Sequence, residues 1–376
     1  MSATTVPDAT AAAAHTDTRL PSLITAATPA RVASFAAVVI IALFVLPGVL
    51  SAFWLKIAYE MAAYSLVTLG LGLLVGRTGM YSLCQIPMVA AGAWFSLRLY
   101  YAFGGEVGQS TMSGWWFPLL ILATGLLTGL LGVVIGLPAL RLSGLYLALI
   151  TLMAAGAITL LLTVFKFPNG GGGFWGFDTR VASGQNLLPR PAIADSDVAF
   201  YRYVVIVAAI GFLIAAWHIT GKPGRAWASI RQSQVTAVAA GVNTTLYKLW
   251  AFALSAAVTG MAGALIAAGS GVTTNQFPVE QSIILLAVVL LGGVYNLWGA
   301  LVAAFFLRVF PQILDKKLGL PVELLTVLFG VGVMQVLIVQ PKGVVEDLRR
   351  LGAFIGGLFW RRSRNAEPGP APEVTA

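Results

Sequence analysis

Long unbroken runs of apolar residues constrain this chain more than any other feature. They occupy, for example, residues 32–50, 204–218 and 325–339. They have no amphipathic spacing, and a helix that is apolar on every side is either buried or spans a membrane. Only 10% of the residues are charged, against about 25% in soluble chains, so most of the surface must face lipid. The sequence therefore predicts an all-α, polytopic transmembrane helical bundle.

The apolar runs predict about 8 to 10 spans, because one crossing of a bilayer core takes about 20 helical residues. The predicted spans are 33–50, 55–75, 81–102, 116–137, 144–165, 201–219, 248–269, 280–294, 297–314 and 322–340. The eighth and ninth are short and contain glycines, so they form either two crossings or a re-entrant hairpin or broken helix. Spans two to five and seven to ten have similar layouts, offset by five crossings. An odd offset inverts one copy, which predicts inverted repeats with a path at their interface.

The chain divides into three predicted regions. Residues 1–31 form a disordered cytoplasmic N-terminal tail, residues 32–350 form the transmembrane domain, and residues 351–376 form a cytoplasmic C-terminal tail. Cytoplasmic loops retain Lys and Arg, and the densest cluster near a span end is Lys222, Arg225 and Arg231. Ten crossings that start inside place this cluster and both termini in the cytoplasm.

Several function classes have no support in the sequence. No Gly-x-x-x-x-Gly-Lys-Ser/Thr phosphate loop occurs, so ATP hydrolysis by this chain alone is excluded. The single cysteine, Cys84, and the two histidines, His15 and His218, match no metal-ligand spacing, and no catalytic triad can be assembled. The net charge of +9 lies beside membrane spans and does not indicate nucleic acid binding.

Ionisable residues within the spans are few. Glu60 and Arg308 lie near span ends, so we expect both side chains to reach the membrane interface. With no acid expected at mid-membrane depth, a proton- or Na⁺-coupled carrier would lack its usual coupling group.

The segment 224–243 is rich in small residues. It predicts one short helix ended by Gly241 and Asn243. It is either a surface that another protein approaches closely or an ordinary solvated loop helix.

Five blocks follow one another along the chain: 79–93, 136–152, 169–170, 224–254 and 291–300. In this order they resemble the LivM-type permease subunits of branched-chain amino acid ABC importers, over residues 35–350. Block 136–152 is close to the family pattern L-P-x-L-R-x-x-G-x-Y, and the strongest match is 224–254. The chain departs from the family at Cys84, Gln85, Gly156 and Gln234, which affects the substrate assignment most.

The resemblance implies a permease subunit without its own ATPase site, located in a bacterial inner membrane. Its implied partners are a LivH-like second permease subunit, two ABC ATPase subunits that use ATP and Mg²⁺, an extracytoplasmic solute-binding protein and lipid. Branched-chain amino acids are the leading substrates, and urea, short amides or another small polar solute are the alternatives. A stand-alone secondary carrier, a passive channel and a membrane scaffold remain as functions of other classes.

Two sets of candidate site residues follow from the resemblance and from side-chain chemistry. Polar side chains within or beside spans either line the substrate path or bond to a neighbouring helix. The path candidates are Ser82, Gln85, Tyr146, Thr151 and Asn169. The 225–243 segment becomes the expected ATPase docking element. The docking candidates are Arg225, Ile230, Arg231, Ala237, Ala240 and Gly241.

Overall fold

The computed structural model describes residues 29–106, 109–140, 142, 144–170, 186–318, 330–331 and 334. Their regular structure is almost entirely helical. The helices are α1 (Pro29–Ile40), α2 (Leu46–Val49), α3 (Ala52–Leu73), α4 (Gln85–Ala102), α5 (Trp116–Ala139), α6 (Leu145–Phe165), α7 (Asp197–Thr220), α8 (Lys222–Gln232), α9 (Gln234–Ala239), α10 (Thr244–Ser270), α11 (Gln281–Gly292), α12 (Leu297–Ala304) and α13 (Phe310–Leu318). Two short strands, β1 (Thr111–Met112) and β2 (Arg190–Pro191), pair in parallel.

Three π-helical turns make long helices continuous. They join α1 to α2, extend α3 to Thr78, and join α12 to α13. Among the described residues, seven helices are then long and apolar enough to cross a membrane. They are Val32–Val49, Ala52–Thr78, Trp116–Pro138, Tyr146–Phe165, Asp197–Thr220, Thr244–Ser270 and Leu297–Lys316. The predicted polytopic helical membrane protein is therefore confirmed.

The structure corrects two boundaries, disfavours a full crossing by the eighth predicted span and leaves other boundaries untested. Helix α1 begins at Pro29, so residues 29–31 are helical and do not belong to a disordered tail. The third predicted span begins as a helix only at Gln85, because residues 79–84 are not helical. The eighth, α11, has 12 residues, about 18 Å, which is too short to cross a bilayer core of about 30 Å. The N-terminal residues 1–28, most of span 322–340 and the tail 351–376 lie outside the described residues.

Helices α3 and α10 form the centre of the bundle and are the most buried of its long helices. They run in opposite directions, since Tyr59 of α3 lies beside Gly269 of α10, whereas Gly70 lies beside Ser255. Helix α10 packs on α4 and α5, and α3 packs on α11 and α12. The first helix of each predicted repeat, α3 or α10, thus packs on later helices of the other repeat. Inverted repeats would give this arrangement.

Glycines allow the central helices to approach closely. A Cβ atom at Gly92 of α4 would lie 2.5 Å from the carbonyl oxygen of Gly260 in α10. A Cβ at Gly263 would lie 2.2 Å from the carbonyl oxygen of Val89. Without a driving force from water between membrane helices, packing at such small-residue contacts supplies much of their association.

The bundle has two distinct ends. At one, the α8 end, helices α8 and α9 connect α7 to α10. At the other, the β end, β1 and β2 pair, and the backbone N–H of Leu188 donates to the carbonyl of Ala267 near the end of α10 (3.0 Å). A salt bridge between Arg190 and Asp197 (2.8 Å) connects β2 to the first residue of α7.

Candidate functional site

Helix α4 begins inside the bundle rather than at its surface. Its first residue, Gln85, contacts Ser255 and Thr259 near the middle of the 27-residue helix α10. The non-helical segment 79–84 leads inward from the α8 end to this point, and Met80, Ser82 and Cys84 within it are buried. Irregular backbone at membrane depth is tolerated only where protein covers it or where it lines a cavity, and it is a common feature of transporter sites. We call residues 79–85 the α4 break.

The side chain of Gln85 is fully engaged with α10. Its Nε2 donates to Ser255 Oγ (2.9 Å), and its Oε1 accepts from Thr259 Oγ1 (2.8 Å). All three residues are buried, with Gln85 only 3% exposed. Hydrogen bonds between membrane helices fix their relative position, so this amide sets where α4 starts against α10.

Thr151 of α6 supports the α4 break from the other side. Its Oγ1 accepts from the backbone N–H of Leu83 (3.0 Å) and donates to the carbonyl of Ala148 (2.9 Å). An unsatisfied backbone N–H in a membrane is costly, so this bond stabilises the irregular segment. The structure thus brings three path candidates, Ser82, Gln85 and Thr151, to one place.

The other two path candidates lie elsewhere. Tyr146 is 71% exposed on the outer face of α6. Asn169 is buried beyond the opposite end of α6, close in sequence to Phe167, which packs on Phe277. Sequence reasoning missed Ser255 and Thr259, although two hydroxyl residues four positions apart share one face of a helix and indicate a polar contact there.

Replacing Gln85 with leucine should lower the free energy of unfolding by about 1–2 kcal/mol, because two interhelical hydrogen bonds are lost. Thermal unfolding of the purified protein in detergent would measure this. The matched control is Gln232→Leu on the exposed surface of α8, which should leave the melting temperature unchanged. Equal melting temperatures for Gln85→Leu and wild type would contradict the structural role of the amide.

The 225–243 segment consists of two helices, not the single helix that the sequence predicted. Ser233 is extended between α8 and α9 (φ −160°, ψ 122°), and its hydroxyl accepts from the N–H of Thr236. Gly241 ends α9 as expected, with φ +78° and hydrogen bonds from Gly241 and Val242 back to the last turn. Asn243, however, caps the start of α10, where its side chain accepts from the N–H of Leu246 (3.0 Å).

The six docking candidates differ in how far their side chains are exposed. Arg225, Ala240 and Gly241 are exposed at the α8 end. Ile230 (3% exposed) and Ala237 (1%) are buried, so they hold α8 and α9 against the bundle and present no surface. Two apolar side chains that the sequence reasoning omitted, Val235 and Val238, are exposed on α9. An exposed apolar surface on a short helix pair suits contact with another protein.

Arg231 points into the bundle and connects three elements. Its guanidinium donates to the Gly76 carbonyl at the end of the α3 helix and to the Tyr295 hydroxyl (2.6 Å). It also lies over the Tyr295 ring, 4.5 Å from the centroid. Tyr295 belongs to the turn between α11 and α12, and Arg77 donates to its carbonyl (3.3 Å). We call Gly76, Arg77, Arg231 and Tyr295 the Arg231 junction.

Trp227 fixes α8 to the start of α10. Its indole N–H donates to the carbonyl of Tyr247 (2.8 Å), and the side chain is 1% exposed. Together with the Arg231 junction, this contact connects α8 to both central helices, α3 and α10. A displacement of α8 would therefore act directly on α3, α10 and the α11–α12 turn.

Known proteins similar to this chain are membrane permeases. Residues 53–337 match the family model described as "Branched-chain amino acid transport system / permease component". Two relatives are high-affinity branched-chain amino acid transport system permease proteins LivM. The one from Salmonella typhimurium is 27% identical over 67% of this chain and 61% of its own length, and the one from Escherichia coli is 26% identical over 70% and 64%.

A probable branched-chain amino acid transport permease protein LivM from Methanocaldococcus jannaschii is 25% identical over 76% of this chain and 90% of its own length. The chain spans under two thirds of the length of the two bacterial relatives. No solved structure matches it. The family model covers most of the chain, including the α4 break and the α8–α9 segment. This multi-pass membrane protein therefore belongs to the family of branched-chain amino acid transport system permease components.

Proposed function

We propose that this chain is the transmembrane permease subunit of an ATP-driven (ABC) importer for branched-chain amino acids. The observation that carries this proposal is the α8–α9 segment, an exposed pair of short helices joined to the central helices through Trp227 and Arg231. A carrier that works alone needs no such surface, whereas an importer driven by a separate ATPase needs a rigid element on which the ATPase can push.

The docking surface consists of the exposed residues of this segment, namely Arg225, Val235, Val238, Ala240 and Gly241. Two partner ATPases bind ATP and Mg²⁺ and close on each other. This movement displaces α8 and α9 and, through the Arg231 junction, α3 and the α11–α12 turn. The α8 end is cytoplasmic in this proposal, and both chain termini lie on the same side of the inner membrane.

The substrate path lies between this chain and a LivH-like second permease subunit, and the α4 break forms part of it. Ser82, Gln85 and Thr151 are the path residues that lie together. In the closed arrangement Gln85 bonds to α10, and rocking of α3 and α4 against α10 would release its amide towards the path. An extracytoplasmic binding protein delivers the substrate at the β end.

Arg225→Glu should weaken copurification of the partner ATPases at least tenfold, because it reverses a charge at the docking surface. Gly241→Val should do the same, because a β-branched residue is strained at φ +78°. Lys56→Glu, an exposed charge reversal at the β end, is the control and should copurify normally. Intact ATPase binding and uptake in both docking variants would disprove the docking assignment.

Uptake into vesicles tests the whole proposal. The chain is reconstituted with its second permease and ATPases, and uptake of labelled leucine and of urea is followed with and without ATP and binding protein. Leucine uptake that needs all components supports the proposal, and urea uptake alone would keep the permease role but change the substrate. Uptake by this chain without ATPases would identify a carrier or channel instead.

A further inference from the structure

Two ionisable side chains meet inside the apolar part of the bundle. Glu60 lies on α3, ~9 Å along the helix from Trp54, and Arg308 lies ~12 Å before Lys316 on its own helix. Trp54 and Lys316 mark the β-end interface, because the Lys316 ammonium lies 5.6 Å from the Trp54 ring and 4.6 Å from that of Phe53. Both Glu60 and Arg308 therefore lie farther along their spans, away from the β end, than Trp54 and Lys316.

Arg308 contacts two side chains of α3, those of Glu60 and Tyr64. The Arg308 guanidinium lies 3.9 Å from the centroid of the Tyr64 ring, and Tyr64 is one helical turn farther from the interface than Glu60. Arg308 thus packs on the face of α3 that carries Glu60 and Tyr64. Ionisable groups within membrane spans usually face a protein interior or a water-filled cavity, and they commonly mark a substrate route.

The contact between Glu60 and Arg308 is loose. Their closest atoms, Arg308 Nε and Glu60 Oε2, are 3.9 Å apart, whereas a charge-assisted hydrogen bond measures about 2.7–2.9 Å. The buried Nε of Arg308 donates no hydrogen bond. A pair that served only to join two helices would close this distance. The side chains of Glu60 and Arg308 are also 22% and 35% exposed, so the surrounding helices do not enclose the pair completely.

We propose that Glu60 and Arg308 form a binding site for a zwitterionic amino acid in transit, an inference that rests on the proposed importer function. The α-carboxylate of the substrate accepts hydrogen bonds from the Arg308 guanidinium, which the Tyr64 ring holds in place. The α-ammonium pairs with the Glu60 carboxylate. The substrate thus replaces one loose ion pair with two closer ones, and neither protein charge is left alone in the membrane.

This site also favours zwitterions over other small solutes. A neutral solute such as urea would leave the Glu60–Arg308 pair in place and gain only ordinary hydrogen bonds. A solute with a single charge would satisfy one partner and leave the other without a counter-ion, which is unfavourable within a membrane span.

The test uses the complete transporter, with its ATPases, second permease and binding protein, in proteoliposomes. Glu60→Gln and Arg308→Gln should each lower ATP-dependent leucine uptake at least twentyfold, while ATP hydrolysis by the complex changes less than about twofold. Lys56→Gln and Lys316→Gln remove charges from the same helices at the interface and should transport leucine normally.

The double variant Glu60→Gln/Arg308→Gln separates a substrate site from a structural ion pair, and it has no unpaired charge that would impair folding. If the pair only joins two helices, the double variant regains the uptake that each single variant loses. We expect it to assemble and to remain inactive. Recovered uptake in the double variant, or normal uptake in the single variants beside an active wild type, overturns this inference alone. A wild-type complex without ATP-dependent leucine uptake overturns the proposed function, and this inference with it.

Discussion

Gly92→Ala and Gly263→Ala are each expected to destabilise the protein by about 2–3 kcal/mol, because the added methyl group has no space. The new Cβ would lie 2.5 Å from the Gly260 carbonyl oxygen in the first variant and 2.2 Å from that of Val89 in the second. Both neighbours are backbone atoms, so only separation of α4 from α10 can relieve the clash. That separation would also break the hydrogen bonds of Gln85 to α10.

Thermal unfolding in detergent, followed by size-exclusion chromatography, would measure this loss. The matched control is Gly156→Ala in α6, where the added Cβ would meet no atom within 4 Å. The control should be as stable as wild type or slightly more so, since alanine favours a helix over glycine. If Gly92→Ala and Gly156→Ala unfold at the same temperature, the close packing of α4 on α10 is incorrect.

Arg231→Ala is expected to lower ATP-dependent uptake at least tenfold while ATPase subunits still copurify. The variant removes the connection of α8 to Gly76 and Tyr295 but leaves the exposed docking residues in place. ATP hydrolysis should continue, because the ATPases still meet their surface. We therefore expect ATP hydrolysis to continue without driving uptake, while the ATPase subunits remain bound to the permease.

Comparison with two other variants makes this test specific. Arg225→Ala, on the exposed side of α8, should weaken ATPase binding instead. Tyr295→Phe keeps the aromatic ring beneath the guanidinium and loses only the 2.6 Å hydrogen bond, so its effect on uptake should be smaller. If Arg231→Ala reduces uptake and ATPase binding in equal proportion, Arg231 belongs to the docking surface and not to a coupling junction.

The sequence predicted most of the long helices because apolar runs of about 20 residues have few alternatives in a membrane. It did not predict the α4 break, since Met80 and Leu83 are as apolar as the helix that follows. The preceding helix ends at Gly79, which adopts φ +72°. The segment that follows depends on a non-local contact, because Thr151, far away in the sequence, satisfies the N–H of Leu83.

The candidate site was predictable only in part, because its contacts join residues that are far apart in the sequence. Residue type alone singled out Gln85 and Thr151, but their partners on other helices could not be read from local spacing. Arg231 was a docking candidate because it lies in the segment that, by the family resemblance, is the expected ATPase docking element. Its actual contacts, Gly76 and Tyr295, lie far from it along the chain and follow only from the packing of α8 on α3.

The pairing of Gln85 with α10 also constrains the order in which the protein can mature at the ribosome. Helix α4 is synthesised about 150 residues before α10, yet both partners of the Gln85 amide are on α10. Until α10 is inserted, this amide must remain solvated or bond elsewhere, because an unpaired polar group in lipid is unfavourable. Nascent chains that stop before α10 should therefore be recognised by quality-control proteases, and chains that include it should become resistant.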